Sequence, residues 1–172
     1  MPDSQDYVIA PYTIICDSRE QHIFPFLGYR CDARQNYRPL IIPTEVAGLK
    51  TGDYSLKGFE EVVAIERKSL QDAYSTFCAG RERFERELER LNALEFAFVV
   101  VEADWGTILN NPPPHTKFSP KSFYRSVIAW QVRFPKVQWW FCATRSFAER
   151  TTLRLLERFW LDDQARKKQE ET

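Results

Sequence analysis

Three side chains could do chemistry together. Asp53 stands in Gly52-Asp53-Tyr54, and Glu66 and Lys68 stand in Ile65-Glu66-Arg67-Lys68, with Asp72 four residues beyond Lys68. Two carboxylates supply the hard oxygen donors that suit Mg²⁺ or Mn²⁺. A neighbouring ammonium can hold an attacking water or balance charge on a phosphate. This is the equipment for metal-assisted hydrolysis of a phosphodiester. The backbone carbonyl of Arg67 is a further candidate ligand. A lone Glu-x-Lys is most often a solvated face, so the reading depends on what positions these residues.

Val62-Val63-Ala64-Ile65 is a β-prone run leading straight into Glu66-Arg67-Lys68. Gly58 marks a turn before it, and residues 51–56 can form the opposing strand. Residues two apart on a strand share a face, roughly 6.6 Å apart along the chain. Glu66 and Lys68 then point one way and Arg67 the other. A hairpin brings Asp53 to the Glu66 side.

In these residues the sequence resembles the XPF-type structure-specific endonuclease domain, a branch of the PD-(D/E)XK nucleases. Four blocks carry the resemblance: Ile14-Ile15-Cys16-Asp17-Ser18-Arg19-Glu20, Gly52-Asp53-Tyr54, Glu66-Arg67-Lys68-Ser69 with Asp72, and Gly80-Arg81-Glu82-Arg83-Phe84 through Glu87. The resemblance covers about residues 14–91. It implies a restriction-endonuclease-like fold, α/β in three layers, with a central mixed β-sheet flanked by helices. It implies Asp53 and Glu66 as metal ligands, Asp17 and Glu20 completing the acidic cluster, and Lys68 orienting water. Arg67 and Asp72 would support the site, and Arg19 would join the DNA-binding residues. Either Arg81 or Arg83 could face the phosphate; Arg83 is preferred because Phe84 then falls in register. Glu87 stands where the family often has Gln, so it is either another ligand or a sign of a shifted alignment.

Composition sets bounds on this reading. The chain has 172 residues, 44% hydrophobic, enough for one domain with a real core. Lys+Arg and Asp+Glu number 24 each, so any nucleic-acid binding must come from a local basic patch. Cys16, Cys31, Cys78 and Cys142 are widely spaced, and His22 and His115 are isolated, which argues against structural zinc and for reduced thiols. No apolar run reaches the roughly 18 residues of a membrane span. With no signal peptide, a cytoplasmic or nucleoid-associated protein is expected. No glycine-rich phosphate loop is present.

The remaining elements follow from pattern. Residues 1–11 read as a polar leader, 12–163 as one nuclease domain and 164–172 as a charged, frayed tail. A strand covers 12–16, and 19–39 are irregular, with an exposed loop at Phe24-Pro25-Phe26. Leu40-Ile41-Ile42 lies between prolines and suits an edge. Short helical pattern covers 70–78. A helix over 81–93 places Phe84, Leu88 and Leu91 on one face. Residues 95–101 read as a buried strand. Asp104 either joins the acidic site or starts a turn, and the turn is favoured. A proline-rich loop covers 110–115. Ser119-Pro120 opens a helix carrying Phe123, Val127, Trp130 and Phe134. Residues 137–142 form a strand, and Ser146 caps the last helix. Arg145, Arg150, Arg154 and Arg158 on or near that helix could meet phosphates, but such a stripe is more often solvated.

These features point to a Mg²⁺-dependent DNA endonuclease, with Mn²⁺ able to substitute. Branched or flapped DNA is the substrate the resemblance implies, in repair, recombination or phage DNA processing. Too few residues follow the last helix for the paired helix-hairpin-helix module that many such enzymes carry. A stand-alone form like those of phages is expected, with a homodimer through the C-terminal helices. The alternative is a non-catalytic nuclease-like module that binds DNA or protein.

Overall fold

Val63-Ala64-Ile65 and the run 96–101 are apolar on both faces, so each must be covered from both sides. They become neighbouring inner strands of a sheet with helices above and below. The computed structural model describes residues 6–78, 80–112 and 118–171, with Cys78 described through its backbone alone. In chain order the elements are β1 (Val8–Ile9), β2 (Ile14–Asp17), β3 (Leu40–Ile41), β4 (Thr44–Ala47), β5 (Tyr54–Leu56), β6 (Val63–Lys68), α1 (Leu70–Cys78), α2 (Arg81–Ala93), β7 (Phe96–Val101), α3 (Trp105–Asn110), α4 (Pro120–Arg133), β8 (Val137–Phe141) and α5 (Arg145–Glu170). A 3₁₀ turn covers Ala33–Gln35.

The main sheet has six strands in the order β4-β2-β5-β6-β7-β8. β5 runs antiparallel to both of its neighbours, and the other pairings are parallel. One face packs Val63, Ile65, Phe98 and Val100 against Leu153, Leu156 and Phe159 of α5. The opposite face packs Ala64, Ala97, Val99 and Val101 against α1, α2 and α4. This is the three-layer α/β arrangement expected from the sequence, and Phe84, Leu88 and Leu91 are buried as expected. Each such side chain stabilises the fold by roughly 1.5–3 kcal/mol through burial.

Several expectations need correction. Phe24 and Phe26 are not on an exposed loop: each is 1% exposed. Phe24 stacks on Tyr54 at 5.2 Å between centroids and Phe26 meets the same ring edge-on at 5.7 Å. The leader contains β1, paired parallel with β3 in a separate two-stranded sheet. Asp104 caps α3, accepting from Thr107 N at 2.7 Å, a helix the sequence did not suggest. Thr144, not Ser146, caps α5, because its hydroxyl accepts from Phe147 N. The helix continues to Glu170 rather than fraying at 164, supported by Arg166 and Lys167 pairing with Asp163 one turn back. The proline loop expected at 110–115 lies outside the described residues from 113 on, and His115 with it. Among the described residues, no helix is long and apolar enough to cross a membrane.

Candidate active site

β2 and β6 are both antiparallel to β5, so they run in the same direction, and β7 runs parallel to β6. Their C-terminal ends share one edge of the sheet. Ligands of such sheets collect at this edge. Asp17 and Glu20 follow from β2, Glu66 and Lys68 end β6, and Asp53 precedes β5 at the same edge. The cleft there has a volume of about 1050 Å³ and is lined by these five residues together with Arg67, Arg83, Glu87 and Arg90.

Gly52 makes the approach of Asp53 possible. Its φ is +75°, and a Cβ there would lie 3.0 Å from the Ala64 Cβ and 3.1 Å from the Ile65 carbonyl oxygen. No other residue fits that turn without moving β6. Asp53 N then donates to Ile65 O at 2.8 Å, and its Oδ2 accepts from Arg67 N at 2.7 Å. Glu87 Oε1 accepts from Gly52 N and Thr51 Oγ1, both at 3.3 Å, so it braces this turn as well as facing the cleft.

Glu66 and Lys68 share a face and Arg67 takes the other, as alternation along β6 requires. Lys68 Nζ lies 3.2 Å from Glu66 Oε1 and 4.1 Å over the centre of the Phe84 ring. Burial pushes the Asp53 carboxyl up to about 8, and the Glu66 charge adds to it. Burial also raises Glu66, against the pull of Lys68, and Glu87 raises it further. Both carboxyls resist ionising chiefly because they are withdrawn from water, and nearby carboxylates add to it. Among the described residues, no three His, Cys, Asp or Glu side chains form a ready-made metal cage. Mg²⁺ takes only one or two carboxylates and keeps several waters. Asp53 and Glu66 meet that requirement, and a dication would offset the cost of ionising them away from water.

The other face of β6 carries a chain of alternating charges. Arg67 Nη1 lies 3.1 Å from Glu20 Oε1, and its Nε lies 2.7 Å from Glu102 Oε1. Arg145 Nη1 reaches the same Glu102 oxygen at 3.0 Å, while its Nη2 donates to the carbonyls of His22 and Ile23 at 2.7 and 3.2 Å. Both guanidinium groups sit over Phe24. Tyr54 Oη accepts from Phe24 N at 2.9 Å. Together these contacts tie down the strap of residues 18–26 that presents Glu20.

Sequence reasoning missed Glu102, Tyr54 as an anchor, and the role of Arg145. One signal was available. Glu102 is the first polar residue after an apolar strand, and it stands beside Lys68, whose carbonyl accepts from Glu102 N at 2.8 Å. Nothing in sequence spacing links Arg145 to residue 102.

Of the remaining expected site residues, Asp17, Arg19, Asp72 and Arg83 line the cleft and Arg81 does not. Asp17 is 2% exposed and both its oxygens are engaged, by Arg19 Nε at 2.7 Å and Leu49 N at 3.3 Å. Arg19 is largely exposed and also donates to Leu49 O at 2.6 Å. Asp72 accepts from Ser69 N and Oγ at the start of α1, with the Oγ contact at 2.5 Å. Arg83 lines the cleft, whereas Arg81 turns to Glu85 and Ser126. In the C-terminal arginine stripe, Arg154 pairs with Glu157 and Arg158 with Asp162.

Comparison with known proteins gives the family. Among curated proteins none matches this sequence. In fold the chain is similar to XPF from Aeropyrum pernix in complex with DNA, at TM-score 0.61 and 17% identity, covering 88% of this chain and 66% of that one. A second structure of XPF from Aeropyrum pernix matches at TM-score 0.61 and 17% identity over 84% of this chain and 63% of the other. The chain thus spans slightly less than two thirds of the proteins it resembles, and likeness at this identity concerns the fold alone. The ERCC4 domain model matches residues 16–155, from the buried end of β2 to the middle of α5, and so takes in the whole acidic edge. This chain belongs to the ERCC4 domain family.

Proposed function

We propose that this protein is a divalent-metal-dependent DNA endonuclease acting on branched or flapped DNA. The observation that carries the proposal is the Asp53–Glu66 pair, partly buried, with both carboxyls pushed up by desolvation, set beside Lys68 at the mouth of a cleft. Family membership and the fold likeness to a DNA-bound XPF support the same reading.

Asp53 and Glu66 would hold Mg²⁺, or Mn²⁺ in its place, with Glu20 facing the same site. When bound, the ion supplies charge to a phosphate oxygen and lowers the pKa of a water. Lys68, steadied by Glu66 and the Phe84 ring, holds the attacking water in line. Arg83 and Arg90 offer donors to the flanking phosphates. The Arg67–Glu102–Arg145 chain keeps Glu20 in place beneath. Pairing of two copies through the C-terminal helices belongs to this reading, supported by Phe147 and Leu161, which are exposed on α5. The competing reading, a module that binds without cutting, has no need of Asp53, Glu66 and Lys68 together.

The test is cleavage of labelled fork, flap, duplex and single-stranded DNA, with an RNA fork for comparison, in Mg²⁺, Mn²⁺ or EDTA. Cutting of forks or flaps that needs the ion is expected. DNA bound but left whole in every metal, by folded protein, would favour the binding module.

A further inference from the structure

A second concave surface lies on the other side of α2. Arg83 lines the catalytic cleft, while Arg81, two residues earlier in the same first turn, lines a groove of about 500 Å³ between α2 and α4. Across from Arg81 stand Lys121 and Arg125, one turn apart on α4, with the hydroxyls of Ser119, Ser122 and Ser126 between them. Among the described residues no acidic side chain lines this groove, in a chain with as many acidic as basic residues.

The cations are not equivalent. Arg81 is fixed: its Nε lies 3.2 Å from Glu85 Oε1, its guanidinium donates to Ser126 Oγ, and it sits 4.8 Å over the Trp130 ring. Lys121 and Arg125 are exposed and make no ion pair or hydrogen bond with any described residue. Most basic side chains elsewhere are neutralised by a carboxylate, as at Arg133, Arg154 and Arg158. Two open cations beside a braced third, flanked by hydroxyl donors, match a phosphodiester backbone. Among the described residues no aromatic side chain lines the groove, and Trp130 beneath Arg81 is 1% exposed. That favours the backbone of a duplex over bases of a single strand.

We propose that this α2–α4 groove binds the phosphate backbone of a duplex arm of the substrate, outside the catalytic cleft. The inference rests on the DNA-nuclease reading. Lys121 and Arg125 contact successive phosphates, Arg81 braces the wall, and α2 divides the groove from the scissile site.

The test is equilibrium binding of a labelled duplex and of a labelled single strand in EDTA, over 50–200 mM salt. The unmodified protein is compared with Lys121→Gln/Arg125→Gln, two exposed positions where glutamine keeps the helix. Each lost phosphate contact lowers the slope of log K against log salt by about 0.9 on duplex DNA, so the double variant should lose about 1.8 and bind roughly sixtyfold more weakly at 0.1 M. In cleavage assays its KM should rise while kcat stays put, because the groove is remote from the chemistry. An unchanged slope and affinity for the duplex would overturn the groove and leave the nuclease reading intact. A loss confined to the single strand would also overturn the duplex assignment. No DNA binding by the unmodified protein would overturn both.

Discussion

At the scale of single residues, Asp53 carries the clearest electrostatic signature. Its carboxyl has an ordinary value of 3.8 and is pushed to about 8, by burial first and by Glu66 second. Folding therefore favours its protonated form. That contribution to stability is present in full below the ordinary value and is lost as the pH climbs through about 8. In EDTA the melting temperature should fall between pH 5 and pH 9. Asp53→Asn keeps an acceptor for Arg67 N and cannot ionise. It should raise the melting temperature at pH 9 by several degrees, at roughly 2–4 °C per kcal/mol for a chain this size, and change little at pH 5. Calorimetry at the two pH values checks this, and equal slopes for both proteins would remove Asp53 as the strained group. Because metal competes with that proton, added Mg²⁺ should stabilise the unmodified protein more at pH 9 than at pH 6.

At the scale of elements, the site depends on a strap that has little regular structure of its own. Residues 18–26 are held by Tyr54, by the paired guanidinium groups over Phe24, and by Glu102 shared between Arg67 and Arg145. Arg145→Met leaves Glu102 with one cation and frees the His22 and Ile23 carbonyls. A loss of about 1–3 kcal/mol in stability is expected. The informative measurement is the half-saturating Mn²⁺ concentration in direct titration. It should rise severalfold in Arg145→Met, yet hardly change when Arg145→Met is added to Glu20→Gln, because the arginine acts through Glu20. Additive losses in the double variant would reduce Arg145 to a general structural role.

These elements also mark what the sequence could reveal. The hairpin, the split of Glu66 and Lys68 from Arg67, and the boundaries of α1 and α2 were legible, since period-2 and period-3.6 patterns are local. Gly52 was visible as part of a block, but its close approach to Ala64 was not. The strap was misjudged because Phe24-Pro25-Phe26 is short, lies beside proline and lacks periodicity. Its burial comes from Tyr54, 30 residues away, and from Arg145, more than 120 residues away. Thr144 and Ser146 are both plausible caps by composition, and only the backbone at 144 decides between them.

At the scale of the whole molecule, a neutral chain carries its function through an uneven distribution of charge. Acidic groups gather at the C-terminal edge of the parallel strands, and open cations flank them on α2 and α4. The two hydrophobic layers are independent enough to divide the labour. The α5 layer anchors the strap and Glu20, while the α1–α2–α4 layer seats Lys68 on Phe84 and supplies the arginines. The sequence showed equal numbers of charges, but their separation in space depends on the crossing of distant helices.

The most direct measurement is the rate at which unmodified protein and Glu66→Gln cut an end-labelled fork in Mg²⁺, at concentrations where both are folded and bind the DNA alike. Glutamine keeps the shape of the side chain and removes only the charge that would hold the ion and steady Lys68. A loss of roughly a thousandfold in kcat with nearly unchanged binding is the predicted result. Equal cutting by both proteins would place the chemistry elsewhere, and the acidic edge would then be structure without catalysis.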